Sequence, residues 1–421
     1  MHGLRNKAYG ILRWSEKHTQ ADMVYLAKGN FWQILGQMFT SIIGLALTVI
    51  FANYLPKETY GTYRYILSIA GILSVFTLNG MNQAVSQAVA VGKEGALRAS
   101  VKYQLKWNIM QFLAFVISGT YYFLNENVHL AISLWIMSIF SPLAAVFNIY
   151  GAYLSGKRQF RLNNIFNIIS TAIYALGMAA AVILSGEIIW LVLVYSLSTM
   201  GSALIFYLIT LRKFRPPTSN EDGDTLKYGR ELTLINFIGP IMSQIDKIIL
   251  AHFWGATQLA VYSLATAMPE KATSFIKGWV HIGMPKFSTK TPEEMNTVFY
   301  KRIFQGLLVG IVCTFGYVAL APYLFIYLLP KYLDALLYSQ ILSISLIFAM
   351  PNRYIGLLMA SQKLSWLIFI NNIIQSIIKV ISYIIFGILG GVLGLVIANV
   401  LNSFISVFIN IFVWRKATRP R

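Results

Sequence analysis

Cysteine and acidic side chains are scarce in this 421-residue chain. Its one cysteine, Cys313, excludes a disulfide within the chain. Aspartate and glutamate total 15 against 34 lysines and arginines, and charged residues of every kind make up 12%. Long hydrophilic stretches are also missing. No interior polar segment is large enough for a soluble catalytic domain or a nucleic-acid-binding fold, so the net charge of +19 does not point to nucleic acid. The acidic group Glu221, Asp222 and Asp224 sits in a segment too short to build a metal site around it and reads as a hydrophilic linker.

What is present is apolar: 57% of residues are hydrophobic and 14% aromatic. They gather in twelve stretches, near residues 31–54, 61–80, 107–124, 130–153, 162–185, 188–211, 232–254, 258–280, 303–328, 335–359, 364–386 and 389–413. Each is close to the ~20 residues that cross a ~30 Å bilayer core as a helix. The connecting segments alternate sharply in charge. On one side (1–30, 81–106, 154–161, 212–231, 281–302, 360–363, 414–421) they hold 26 lysines and arginines; on the other, only Lys57 and Lys331. That bias predicts twelve transmembrane helices with both termini in the cytoplasm. The outer segments then run to six residues at most, which disfavours an enzyme acting outside the membrane. Residues 1–27 do not read as a cleaved signal, because their basic residues are dispersed and the following apolar run is too long. They are expected to form an interfacial helix with Leu4, Ile11, Leu12, Trp14 and Tyr25 toward lipid.

The chain repeats itself. ANYLPKETYGTY from Ala52 matches AHFWGATQLAVY from Ala251 at an offset of 199. YGAYLSG from Tyr150 matches IGLLMAS from Ile355 at 205, and NNIFNII from Asn163 matches NNIIQSI from Asn371 at 208. Six stretches per copy make the repeats parallel. The expected organisation is an N-terminal segment (1–30), a six-helix lobe (31–211), a linker (212–231) with Pro216 and Pro217, a second six-helix lobe (232–413) and a basic tail (414–421). Two such lobes around a cleft suit a transporter.

Eight charges lie inside apolar stretches: Arg64, Lys247, Lys271, Lys277, Arg353 and Lys379, with Asp246 and Glu270. A charge at mid-bilayer costs ~3 kcal/mol on insertion scales, so all eight facing lipid would cost roughly 20 kcal/mol. Arg64 and Lys277 are near enough to the ends of their stretches to snorkel; Lys271, Arg353 and Lys379 are not so easily placed. An excess of cations in a cleft favours an anionic ligand, and phosphate above all. Asp246 and Glu270 are candidates for ion coupling or for pairing with the lysines. Amides such as Asn148 and Asn372 fit sugar hydroxyls, or hold helices together. Glycines 387, 390, 391 and 394 are spaced for close helix packing, and Trp254 fits an interfacial belt.

KGNFWQILGQ from Lys28, ANYLPKETYGTYRYILSIAG from Ala52 and SQIDKIILAHFWGATQLAVYSLA from Ser243 resemble the polysaccharide-export branch of the multidrug/oligosaccharidyl-lipid/polysaccharide flippase superfamily, which includes O-antigen and capsule repeat-unit flippases. The resemblance extends over residues 28–413. It implies an all-α membrane protein of two six-helix bundles in a V, in a bacterial inner membrane. It also implies a cargo of undecaprenyl-pyrophosphate-linked oligosaccharide, moved by alternating access and driven by H+ or Na+, with no other cofactor. Its implied partners, besides membrane lipids, are a polysaccharide polymerase and a chain-length regulator, with no nucleic acid. Carried onto this chain, the cationic cavity would comprise Arg64, Lys271, Arg353 and Lys379; Lys277, Asn148 and Asn372 are further candidates for binding the pyrophosphate and sugar. Asp246 and Glu270 would serve coupling. The rival expectations are a multidrug or cation antiporter of the same superfamily and a membrane enzyme of glycan assembly.

Overall fold

The computed structural model describes residues 23–218, 223–281, 292–362 and 364–417. The interfacial helix expected at 1–27 falls almost entirely outside the described residues. Every regular element among them is helical. The first half contains α1 (Met23–Tyr54), α2 (Lys57–Leu73), α3 (Met81–Ala90), α4 (Ala96–Trp107), α5 (Ile109–Leu124), α6 (Val128–Phe147), α7 (Tyr150–Gly156), α8 (Phe160–Leu184) and α9 (Ile188–Phe214). The second contains α10 (Gly223–Ile235), α11 (Ile238–Met242), α12 (Ile245–His281), α13 (Pro292–Leu328), α14 (Ala335–Ser343), α15 (Ser345–Ser361) and α16 (Ser365–Ala417).

Among the described residues, eight helical runs are long and apolar enough to cross a membrane, or nine if a pair bent by 57° at α2–α3 counts as one. The twelve expected stretches meet this smaller number for local reasons. Two runs, of 51 and 52 residues, each contain two expected stretches. Both are broken by a glycine in a backbone conformation closed to most side chains: Gly255 (φ 82°) in α12 and Gly391 (φ 54°) in α16. Helix α5, at 16 residues, is simply short. Gly255 lies 199 residues after Pro56, which separates α1 from α2, so these two breaks occupy equivalent places in the sequence repeat. Proline explains the first: it restricts Leu55 to non-helical backbone while offering a preset first turn to α2.

The segment 81–106, expected as a loop, is instead a helical pair. Met81, Val85, Val89, Leu97 and Val101 bury one face of α3 and α4 against Val146, Ile149, Tyr150 and Tyr153. Lys102 and Lys106 stay exposed on the other face. An amphipathic helix of this kind has too little net hydropathy to register as a span. Between α3 and α4, Glu94 accepts hydrogen bonds from Lys157 and, at 2.8 Å, from Tyr153 Oη. The Lys157 bond is the main influence holding its carboxyl below the usual carboxylate range. The second half of the expected linker is also helical: α10 lies on α3, where Gly80 N–H donates to Thr233 Oγ1 at 3.0 Å.

Helices α1 and α5–α9 pack together, as do α12–α16, and α2 joins the two groups by lying along α12. The join is tightest at the end that bears Lys57 and Lys331. There Lys57 pairs with Asp334 at 2.7 Å, Asn53 Nδ2 donates to the Leu328 carbonyl at 2.8 Å, and Lys331 reaches the Asn53 carbonyl. Tyr60 and Tyr332 meet edge to face with ring centroids 6.5 Å apart, both fully enclosed. Gly61 permits the approach, since a Cβ placed there would lie 1.8 Å from the Ala256 carbonyl oxygen. Gly391 packs likewise on the Trp254 ring, whose Nε1 donates to the Gly387 carbonyl at 2.9 Å. Trp254 thus pins the two glycine breaks together, and the glycine spacing serves a turn as well as packing.

Gly61→Ala must push α2 away from α12. The expected cost is about 1–3 kcal/mol, typical of overpacking, read as a lower melting temperature of the purified protein in detergent. An unchanged melting temperature would mean that this approach is not a fixed contact.

Candidate functional site

Five of the charges inside the apolar helices, Arg64, Asp246, Lys247, Glu270 and Lys379, converge where the two groups of helices face each other. Arg64, on α2, follows Tyr60 and Tyr63 by one helical turn or less and points among tyrosines, within electrostatic range of Tyr174 and of Glu270 on α12. Lys247 lies within range of Arg64, Asp246, Glu270 and Lys379. Lys379, on α16, is within range of Asp246 and Glu270 and donates to the Met242 carbonyl at 2.8 Å. That carbonyl is available because α11 ends there, before α12 begins. The Lys379 ammonium also sits 5.2 Å from the centroid of the Tyr383 ring.

Both acids serve this cluster differently. Asp246 is 7% exposed and accepts from Tyr262 Oη at 2.7 Å, tying together the two halves of α12 across the Gly255 break. Its other oxygen, Oδ1, is buried without a hydrogen-bond partner. Glu270 is exposed, one residue after Pro269 in the second half of α12. Its neighbour Lys271 turns toward α1, where its Nζ lies 3.1 Å from the position a Cβ would take on Gly44.

Polar cavities flank the cluster on both sides. In the C-terminal group, a cavity of about 690 Å³ is lined by Arg353, Lys379, Tyr383 and seven amides. Four of these amides bond one another. Asn410 Oδ1 accepts from Asn371 at 2.7 Å and Gln375 at 2.9 Å, while Asn410 Nδ2 donates to Asn352 at 2.8 Å. A smaller cavity of about 440 Å³ shares Asn372 and Lys379 with it. In the N-terminal group, a third cavity of about 390 Å³ is lined by hydroxyls, amides and tyrosines, Asn148 among them.

The expected residues therefore separate into groups. Arg64 and Lys379 come together with Asp246 and Glu270, and Arg353 joins Lys379 on one cavity wall. Arg64 turns inward among tyrosines, which removes the snorkelling alternative for it. Asn372 belongs to the C-terminal cavities and Asn148 to the N-terminal one. Lys271 stands apart against α1, and the Lys277 side chain lies outside the described residues. Sequence reasoning left Lys247 out of the candidate cavity and did not single out Tyr60, Tyr63, Tyr174 or Tyr195. The signal for the first two was available: Tyr60, Tyr63 and Arg64 share one helical face.

Residues 26–279, more than half of the chain, match the family described as polysaccharide biosynthesis protein. The chain belongs to this family. A protein of Shigella flexneri named for O-antigen transport is 22% identical over 260 residues, covering 56% of this chain and 60% of that protein. The chain thus matches less than two thirds of that relative's length. Two of the solved structures that share the fold each match 93% of the chain. The lipid II flippase MurJ in an inward closed conformation (TM-score 0.71, 16% identity, 88% of that chain) is one. An outward-facing MATE multidrug resistance transporter of the MOP superfamily (TM-score 0.64, 13% identity, 95% of that chain) is the other. The apolar helices and the shared fold make this a multi-pass membrane protein.

The Tyr262–Asp246 bond offers a direct check. Tyr262→Phe would leave a buried carboxylate without its donor, at a cost of about 1.5–3 kcal/mol for a bond to a charged group. The melting temperature should fall; a variant as stable as the native protein would mean that Asp246 is solvated or repartnered.

Proposed function

We propose that the protein flips a polyprenyl-pyrophosphate-linked oligosaccharide, such as an O-antigen, capsular or exopolysaccharide repeat unit, from the cytoplasmic to the periplasmic leaflet of a bacterial inner membrane. The observation that carries this reading is the convergence of Arg64, Lys247 and Lys379 between two groups of helices, beside cavities lined with amides and hydroxyls. A cationic centre with polar flanks suits a cargo that is anionic at one point and hydroxyl-rich beyond it. The family and the O-antigen-transport name of the Shigella relative support the same cargo.

In this reading the chain crosses the membrane twelve times. The two long runs divide at Gly255 and Gly391, and both α2 and the short α5 count as crossings. The 1–30 segment, the 212–231 linker and the 414–421 tail are cytoplasmic, and 31–211 and 232–413 are the two lobes. The joined end at Lys57–Asp334 then faces the periplasm, and the cavities face the cytoplasm. The pyrophosphate enters sideways from the inner leaflet, its prenyl tail remaining in lipid, and meets Arg64 and Lys379, with Arg353 nearby and Lys271 outside the first contact. Lys379 exchanges its bond to the Met242 carbonyl for one to phosphate. The lobes rock, the outer contacts part, and the headgroup leaves on the far side. Binding drives this shift only so far as the cargo prefers one state. Asp246 and Glu270, set among the cations, are the groups through which H+ or Na+ would reset the cycle. A polysaccharide polymerase and a chain-length regulator would act on the delivered unit.

Arg64→Ala and Lys379→Ala should each slow flipping of pyrophosphate-linked polyprenyl oligosaccharide in proteoliposomes by about 10- to 100-fold, the value of one charge-assisted hydrogen bond. Both should leave the protein folded and reconstituted. Native rates in both variants would overturn the cradle, and efflux of a cationic dye by the native protein would favour the antiporter reading instead.

A further inference from the structure

The N-terminal cavity differs from its C-terminal counterpart in kind. None of the residues lining it carries a charge. Its polar residues form stripes along otherwise apolar helices: Asn167, Ser170, Thr171 and Tyr174 on α8, at successive one-turn spacings, and Ser196 and Thr199 facing them from α9. Such a stripe has to face something other than lipid. The sequence repeat sharpens the contrast. At the offset of 208 that aligns Asn163 with Asn371, Asn167 corresponds to Gln375 and Thr171 to Lys379. One stripe has thus been laid down twice, with a cation in the second copy and a hydroxyl in the first.

The two cavities also differ in what their polar groups already bind. On the C-terminal side, Asn352, Asn371, Gln375 and Asn410 satisfy one another. On the N-terminal side, Ser196 is 2% exposed and its Oγ has no hydrogen-bond partner. The amides of Asn148 and Asn167 are exposed, and among the described residues no side-chain hydrogen bond holds either of them. Buried or cavity-facing polar groups without protein partners are groups prepared for a polar ligand. Tyrosine rings add faces on which a sugar ring can lie. The cavity is also correctly placed: Tyr174 and Tyr195 on its wall are among the tyrosines within electrostatic range of Arg64.

From this, we propose that the N-terminal cavity is a saccharide subsite that takes the sugar directly attached to the pyrophosphate, and that it selects an uncharged sugar. Ser196, Asn148 and Asn167 supply hydrogen bonds to its hydroxyls, and Tyr174 and Tyr195 supply the aromatic wall. At about 390 Å³ the cavity is at the small end of ligand sites, which run from ~300 to ~1,000 Å³. It therefore reads the proximal sugar rather than the whole repeat unit. A carboxylated sugar there would lose solvation with no cation on the wall to replace it. This inference rests on the pyrophosphate-cradle reading and adds specificity to it.

The test is binding to the purified chain in lipid nanodiscs of three probes: bare polyprenyl pyrophosphate, the same lipid bearing one neutral hexose, and the same lipid bearing one uronic acid. The hexose-bearing lipid should bind about tenfold tighter than the bare one, as two or three modest hydrogen bonds would give, and the uronic-acid lipid no tighter than bare. Asn167→Leu and Ser196→Val should each remove most of the hexose advantage while leaving the bare lipid's affinity unchanged, and Asn167→Gln should restore part of it. The bare lipid also reports folding, so a collapsed variant is recognised by its loss. If bare lipid binds but the hexose adds nothing, or the variants weaken both lipids equally, the subsite is overturned and the cradle stands. If no lipid binds the native protein, the cradle fails and the subsite with it.

Discussion

The structure is organised by the cost of placing charge where water is scarce. Six cations and two acids lie within helices that are otherwise apolar, and an ion held at mid-bilayer costs ~3 kcal/mol on insertion scales. That cost falls when a side chain finds a carbonyl, a carboxylate or an aromatic face away from lipid. Lys379 finds the Met242 carbonyl and the Tyr383 ring, and Asp246 finds Tyr262. Two of these partners, the Met242 carbonyl and Tyr262, exist because a helix breaks nearby. The interruption between α11 and α12 frees the Met242 carbonyl, and the turn at Gly255 brings Tyr262 back alongside Asp246. The glycine breaks and the buried charges are therefore parts of one arrangement.

The same constraint divides the protein along its length. At the end bearing Lys57 and Asp334 the two helical groups meet through an ion pair, backbone carbonyls and enclosed tyrosines, with Gly61 allowing backbone to approach backbone. Farther along, the groups present cavities to each other instead. An exposed ion pair contributes only ~0.2–1 kcal/mol, and the carbonyl bonds beside it are similarly modest. A contact of this kind holds one arrangement without locking it. That suits the transport cycle proposed above, in which two arrangements must lie within a few kcal/mol of each other.

Much of this was legible in the sequence, and the exceptions have physical causes. Long apolar stretches report lipid-facing helices directly, and an ionisable residue inside one stands out because little else in the stretch is polar. Hence Arg64, Lys379, Asp246 and Glu270 could be named before any fold was known. The pair α3–α4 was hidden because half of each helix is solvated, which lowers its hydropathy to that of a loop. The break at Gly255 falls between two apolar stretches and was legible, whereas Gly391 lies just inside one, where glycine signals packing as readily as turning. The stripe at Asn167, Ser170, Thr171 and Tyr174 was present as a period, but serine and threonine weigh little on a hydropathy scale. What makes it informative is its cavity and the partnerless Ser196 across from it. Pairings such as Lys57 with Asp334, 277 residues apart, follow from the tertiary fold and have no local signature.

The most direct test of the account is whether the joined end must open for transport. In a Cys313→Ser background, Lys57→Cys and Asp334→Cys would be bridged with a reducible bifunctional thiol reagent, and flipping of pyrophosphate-linked polyprenyl oligosaccharide followed in proteoliposomes before and after reduction. If this end is the gate through which the headgroup leaves, the bridged protein is inactive and reduction restores the rate. Flipping at the unbridged rate with the bridge intact would contradict the account, because the cargo would then cross without the two groups of helices parting.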